Sequence, residues 1–186
     1  MKASAPRRRL LILFLACCPT WNMLAAQDSD AVEQRVKAAY IYRFASYVEW
    51  PDTSFTGPDM PLTISVLGDD ALATDLDAVV AGRTVNERHV LVRRSKPGEP
   101  LAGTHVLFVA RPESALLPEL AKTAQSQSIL LITDSAGALA QGSIINLIVL
   151  DRHVRFEVSL DAAAKSNLKL SSRLLAVASQ VRSGGE

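Results

Sequence analysis

Cysteine is almost missing from this sequence. The 186-residue chain has two, Cys17 and Cys18, side by side near the amino terminus. Beyond them there is no thiol, so the body of the chain can form neither a disulfide nor a cysteine metal site in any redox compartment. Glycine-rich loops are missing too. The first predicted strand ends in a lone Gly68 without a Gly-x-Gly-x-x-Gly, and there is no Gly-Lys-Ser, which argues against a nucleotide site. No Gly-x-Ser-x-Gly elbow marks a hydrolase serine. His89, His105 and His153 stand far apart and outside any zinc pattern, so each reads as a structural histidine. No apolar run approaches the roughly 20 residues that a bilayer-spanning helix needs.

The amino terminus is informative. Lys2, Arg7, Arg8 and Arg9 precede an unbroken apolar run over residues 10–18, and no acidic residue occurs before Asp28. Small residues follow at Ala25 and Ala26. This three-part pattern reads as a cleaved secretory signal over residues 1–26, leaving residues 27–186 as a single exported domain outside the cytoplasm. Phe14-Leu15-Ala16-Cys17 loosely resembles a lipoprotein processing box, so lipidation at Cys17 is the minor alternative. Removing the four basic leader residues leaves 16 Lys and Arg against 19 Asp and Glu, a net charge of −3. An acidic exported chain gives no electrostatic reason to expect nucleic acid as a partner.

Along the body, Asp30 with Glu33 makes a capping box ahead of Val32, Val36, Tyr40, Phe44 and Val48, an apolar stripe at helical spacing that stops at Trp50-Pro51. Short apolar runs then predict strands over residues 62–67, 90–92, 106–109 and 129–132. Helices are expected between them over residues 71–80 and 113–125, the second kinked or delayed by Pro118. Strands over residues 143–150 and 154–158 are linked so briefly around Asp151-Arg152 that they must pair antiparallel. Asp161 is expected to cap a short Ala-rich helix, and Ser171 or Ser172 to open a last helix packed through Leu174, Leu175, Ala178 and Val181. The expected fold class is α/β, a three-layer sandwich on a mostly parallel sheet with an antiparallel carboxy-terminal hairpin, Rossmann-like without a nucleotide motif.

Aromatics make up only 5% of the chain, so their clustering means something. Tyr40, Tyr42, Phe44, Tyr47 and Trp50 all fall between Lys37 and Pro51. Tyr40 and Phe44 read as core. Tyr42, Arg43 and Glu49 lie off the stripe, and an Arg beside a Trp at a rigid corner has the composition of a binding hot spot, although a Trp also plugs corners. Asp69-Asp70 and Asp75-x-Asp77 fit no calcium loop and read as a helix cap and a solvated face. No metal or cofactor is implied.

These residues resemble the YfiR family of periplasmic regulators. The likeness is carried by the block from Lys37-Ala38-Ala39-Tyr40 through Phe44 to Trp50-Pro51, by His105-Val106-Leu107-Phe108-Val109, and by Gly142-Ser143-Ile144-Ile145. Val154-Arg155-Phe156-Glu157-Val158 and Leu168-Lys169-Leu170-Ser171-Ser172-Arg173-Leu174-Leu175 complete it. The resemblance implies a non-enzymatic repressor that binds the periplasmic domain of an inner-membrane diguanylate cyclase, lowers cyclic di-GMP and so shifts biofilm against motility. It also implies sequestration by an outer-membrane lipoprotein. The partner surface would involve Tyr42, Arg43, Tyr47, Glu49, Trp50, Pro51, Arg155 and Glu157. Two departures stand out: disulfide cysteines are missing from the body, and Ser159 replaces the asparagine of a Phe-x-x-Asn pattern.

The competing reading is a small-ligand sensor. Ligands in open α/β sheets bind beyond the carboxyl ends of parallel strands, where Asp69, Asp70, Arg111 and Asp134 would stand. A metal-free hydrolase is a third reading, with no nucleophile–base set to support it. A homodimer is left open by the sequence.

Overall fold

The computed structural model describes residues 21–183, with side chains from Asp30 onward. The basic stretch, the apolar run and both cysteines of the expected leader lie outside the described residues.

Helix α1 (Trp21–Ala45) begins earlier than expected. Met23, Leu24, Ala25, Ala26 and Gln27 are good helix formers, so the helix runs through them and Asp28 and Asp30 sit inside it. It also stops earlier. After Ala45 the amides of Ser46 and Tyr47 bond to the carbonyls of Arg43 and Phe44 at 3.0 and 2.9 Å, tightening the last turn into strand β1 (Val48–Glu49). Its packing face is rotated from the expected stripe. Ala38, Ile41, Phe44 and Ala45 are buried, whereas Val32 and Val36 are 56% and 37% exposed. Small residues at 38 and 45 let the helix lie close on the body, which turns the two valines outward.

The rest follows in βα order: β2 (Leu62–Leu67), α2 (Asp70–Val80), β3 (Thr84–Val85), β4 (Arg88–Ser95) and β5 (Val106–Val109). A six-residue 3-10 segment (Arg111–Leu116) then precedes α3 (Leu117–Ser126), so Pro118 delays the helix and sits in its first turn, where its missing N–H costs nothing. Next come β6 (Leu130–Thr133), β7 (Ile145–Leu150), β8 (His153–Ser159), α4 (Leu160–Lys165), β9 (Lys169–Leu170), α5 (Ser172–Leu175) and β10 (Gln180–Arg182).

Eight strands form one sheet in the order β10-β8-β7-β6-β5-β2-β4-β3, and β1 pairs antiparallel with β9 as a separate ribbon. The five strands from β4 to β7 in that order are parallel, while β7 and β8 make the expected antiparallel hairpin. Asp151 and Arg152, at φ 50° and 62°, form its two-residue turn. Alternate side chains feed two cores. Ile64, Val66, Phe108 and Ile132 face α1 and α2, whereas Leu67, Leu107, Val109 and Leu131 face α3. The result is the expected three-layer α/β sandwich.

Two local expectations fail at the carboxyl end. The cap of α4 is Ser159, whose Oγ accepts from the Ala162 amide at 3.2 Å; Asp161 falls in the first turn, where its charge suits the helix dipole. The last helix is one turn long, and Val181 lies 40% exposed on edge strand β10, parallel to β8, rather than on a packing face.

Candidate functional site

The sheet changes direction at β2, which has β4 on one side and β5 on the other. An open α/β sheet usually keeps its ligand crevice beyond such a point. The residues there are those the sequence singled out. Gly68, at φ +85°, turns the chain after β2 so that Asp69 can cap α2, its carboxylate accepting from the Leu72 amide at 2.8 Å. After β6, Asp134 accepts from the Arg111 amide at 2.8 Å, and the Arg111 guanidinium reaches the Asp134 carbonyl at 3.3 Å. Asp70 is exposed in the first turn of α2.

Helix α1 fills this crevice. Gln34 and Lys37, one turn apart on the helix, reach down to the strand ends. Gln34 Nε2 donates to Asp69 Oδ2 at 2.8 Å, and Lys37 Nζ donates to Asp134 Oδ2 at 2.9 Å. Lys37 also pairs with Glu33 one turn back, at 2.8 Å. Burial by itself pulls the Lys37 pKa down, but hydrogen bonds and charge from Glu33 and Asp134 outweigh it and hold the ammonium above its ordinary value. Two of the three acidic groups of the expected ligand site, Asp69 and Asp134, are therefore already occupied by the chain's own side chains, and only Asp70 is left facing solvent.

At the opposite end of the sheet lies the Trp50 corner. Trp50 is half-buried and meets the Phe55 ring edge-on at 6.3 Å. Phe55 stacks on His105 with centroids 4.3 Å apart, and the Arg88 guanidinium covers its other face at 4.0 Å. Arg88 also holds the loop by donating to the carbonyls of Gly57, Pro58 and Met60. His105 Nδ1 accepts from the Thr63 amide and Nε2 donates to the Ser54 carbonyl, each at 3.1 Å, which assigns the neutral ring with its proton on Nε2. Burial first, and nearby Arg88 second, push its pKa below the ordinary value against the Ser54 contact.

The other candidate contact residues are scattered. Tyr42 turns toward β3, its hydroxyl donating to the Thr84 carbonyl at 3.0 Å. Tyr47 and Glu49 line a cavity of about 320 Å³ beside Asn86 and Arg173. Pro51 precedes a short 3-10 turn. Glu157 is drawn back toward Asn146, at 3.5 Å. Arg43 and Arg155 are exposed.

Arg155 belongs to a larger feature, a groove of about 750 Å³ between α1 and the β7–β8 hairpin. Val32, Val36 and Tyr40 form its helix wall, and Val149 and Val154 its hairpin wall. Arg152, Arg155 and His153 edge one side and Glu33 the other. Sequence reasoning missed this groove because Val32 and Val36 look like core residues at helical spacing. Their i, i+4 pairing with Tyr40, together with the apolar Val149-Leu150 at the hairpin tip, was the available signal. It missed Gln34 and Lys37 because nothing local marks a partner on a distant strand.

Among the described residues, no group of three or more His, Cys, Asp or Glu could hold a metal ion, and no helix is long and apolar enough to cross a membrane. Ser159 answers the departure from the Phe-x-x-Asn pattern. The position is a helix N-cap, which a serine hydroxyl serves about as well as an asparagine amide.

Comparison with known proteins adds two findings. A family model described as YfiR/HmsC-like matches residues 34–179, from the crevice-filling turn of α1 to the last residue before β10. Among solved structures the chain is similar to a conserved domain protein from Vibrio cholerae O1 biovar El Tor strain N16961, with 10% identity and a TM-score of 0.48. That match covers 64% of this chain and 54% of the other, so this chain spans about half the length of that protein.

Proposed function

The chain belongs to the YfiR/HmsC-like family, and from that membership we propose that it is a periplasmic regulator that works by binding another protein rather than by catalysis. Its target is the periplasmic domain of an inner-membrane diguanylate cyclase, and its effect is to lower cyclic di-GMP. An outer-membrane lipoprotein that sequesters it would relieve the repression. The observation that carries the choice between protein binding and small-ligand sensing is the filling of the strand-end crevice by Lys37 and Gln34. A ligand there would have to displace a buried ammonium from Asp134, whereas the apolar groove beside α1 is open.

The mechanism is a population shift. A regulator that binds the inactive conformation of the cyclase more tightly than the active one moves the balance by that difference in affinity alone. Holding a cyclase 99% off from an even balance requires about a hundredfold preference, or roughly 2.7 kcal/mol.

The direct test uses membranes from a strain lacking the gene, opened so that the periplasmic face is accessible. Adding the purified protein is expected to slow conversion of GTP to cyclic di-GMP in a saturable way. An unchanged rate over a concentration series contradicts the reading.

A further inference from the structure

The groove between α1 and the β7–β8 hairpin carries the inference. Single exposed apolar side chains are ordinary on a protein surface, but contiguous ones mark contacts. Val32, Val36, Val149 and Leu150 are 56%, 37%, 45% and 50% exposed, and the first three line one groove. Val32 to Tyr40 is two turns of helix wall, about 12 Å at 1.5 Å per residue. That length suits a short amphipathic helix laid along the groove with its apolar face inward.

The charges choose between partners. Arg152 and Arg155 stand at the hairpin side, and Arg43 continues the exposed face of α1, seven residues after Val36. None of the three is in an ion pair among the described residues, where the ion pairs are those of Lys37 and Arg94. The one carboxylate lining the groove, Glu33, is held by Lys37 at 2.8 Å, an ammonium it shares with Asp134, and it stands against two unpaired guanidinium groups on the groove's other side. An apolar groove with an unpaired basic edge, on a chain with more acidic than basic residues beyond its leader, is complementary to acidic flanks. Guanidinium groups also take carboxylates in paired hydrogen bonds.

We infer that this groove holds an amphipathic helix of the partner protein whose apolar face is flanked by Asp or Glu. The inference rests on the protein-binding reading above and deepens it by naming the surface and the chemistry.

Two synthetic amphipathic helices test it, one with leucines flanked by Glu and the other with the same leucines flanked by Lys, with affinity read by fluorescence anisotropy. The purified protein is expected to bind the Glu-flanked peptide in preference. Val36→Glu is expected to weaken that binding about tenfold or more, equivalent to about 1.4 kcal/mol. Arg155→Glu is expected to shift the preference toward the Lys-flanked peptide. Both sites are exposed, and circular dichroism checks that each variant is folded. Binding of neither peptide, equal binding of both, or full affinity in Val36→Glu overturns the inference. So does a wild-type dimer that Val36→Glu dissociates in sedimentation, since the occupant is then a second copy. In cells, a gene deletion that raises cyclic di-GMP while Val36→Glu represses normally overturns the groove and leaves the regulator standing. A deletion without effect counts against the regulator reading alone, because the peptide assay reads the groove independently.

Discussion

Lys37 Nζ lies 2.9 Å from Asp134 Oδ2, joining residues 97 apart in the chain, with only 9% and 12% of the two side chains exposed. This contact pins helix α1 across the carboxyl ends of the parallel strands. It therefore decides two things together: the strand-end crevice is filled, and Val32 and Val36 face outward along the neighbouring groove.

Breaking the pair is expected to be costly, because one buried charge is left without its partner. Lys37→Met should lower unfolding stability by about 3 kcal/mol, and Lys37→Met with Asp134→Asn should recover part of the loss. Urea titration of the single and double variants checks this. Equal losses in both would mean that the pair contributes nothing beyond packing.

The same ion pair has a predictable pH response. Because the folded-state pKa of Lys37 is raised above 10.5, its contribution is fully present below that value and is lost only as pH rises through the folded pKa. Wild type should therefore lose stability in the alkaline range more steeply than Lys37→Met does. Parallel slopes in thermal melts above pH 10 would contradict it.

His105 gives the acid limb. Its folded-state pKa is depressed below 6.5, so its neutral ring stabilises the fold fully above that value. The contribution falls as pH drops from 6.5 toward the lowered folded-state value, since the unfolded chain takes up the proton first. Melting temperature should decline over that window in wild type and decline less in His105→Gln, provided that the glutamine variant is folded at pH 7.5. Equal declines would assign the acid sensitivity to other groups.

Ser159→Ala should cost about 1 kcal/mol by uncapping α4, while Ser159→Asn should leave stability within a few tenths of wild type. Chemical denaturation distinguishes the two. A loss in the asparagine variant as large as in the alanine variant would show that the hydroxyl does more than cap.

Trp50→Ala removes the edge contact that seats Phe55 against His105 and is expected to lower stability by about 3 kcal/mol, the lower end for a large aromatic because Trp50 is only half-buried. A loss below about 1 kcal/mol would instead mark Trp50 as an exposed contact residue.

Six of the ten strands among the described residues, β2 and β4 to β8, were legible because their signals are local. Residues 62–67 and 106–109 are apolar runs that the structure reproduces without a shift, and the two-residue link at Asp151-Arg152 could only be a hairpin. The strand-end positions of Asp69 and Asp134 followed from those strands. The facing of α1 was not legible. Periodicity reveals an apolar face but not what covers it, so Val32 and Val36 read as core although they line an open groove. Strand β10 was missed because Gln180-Val181-Arg182 is too short and mixed to alternate, and its pairing is set by β8. The crevice contacts of Gln34 and Lys37 depend on residues far along the chain, which no local pattern encodes.

The most direct test of the regulatory role is intracellular cyclic di-GMP in cells with the gene deleted, then restored with its leader or without it. The account predicts a rise on deletion that only the exported form reverses. An unchanged level on deletion, or reversal by the leaderless form, would contradict a repressor acting from the periplasm.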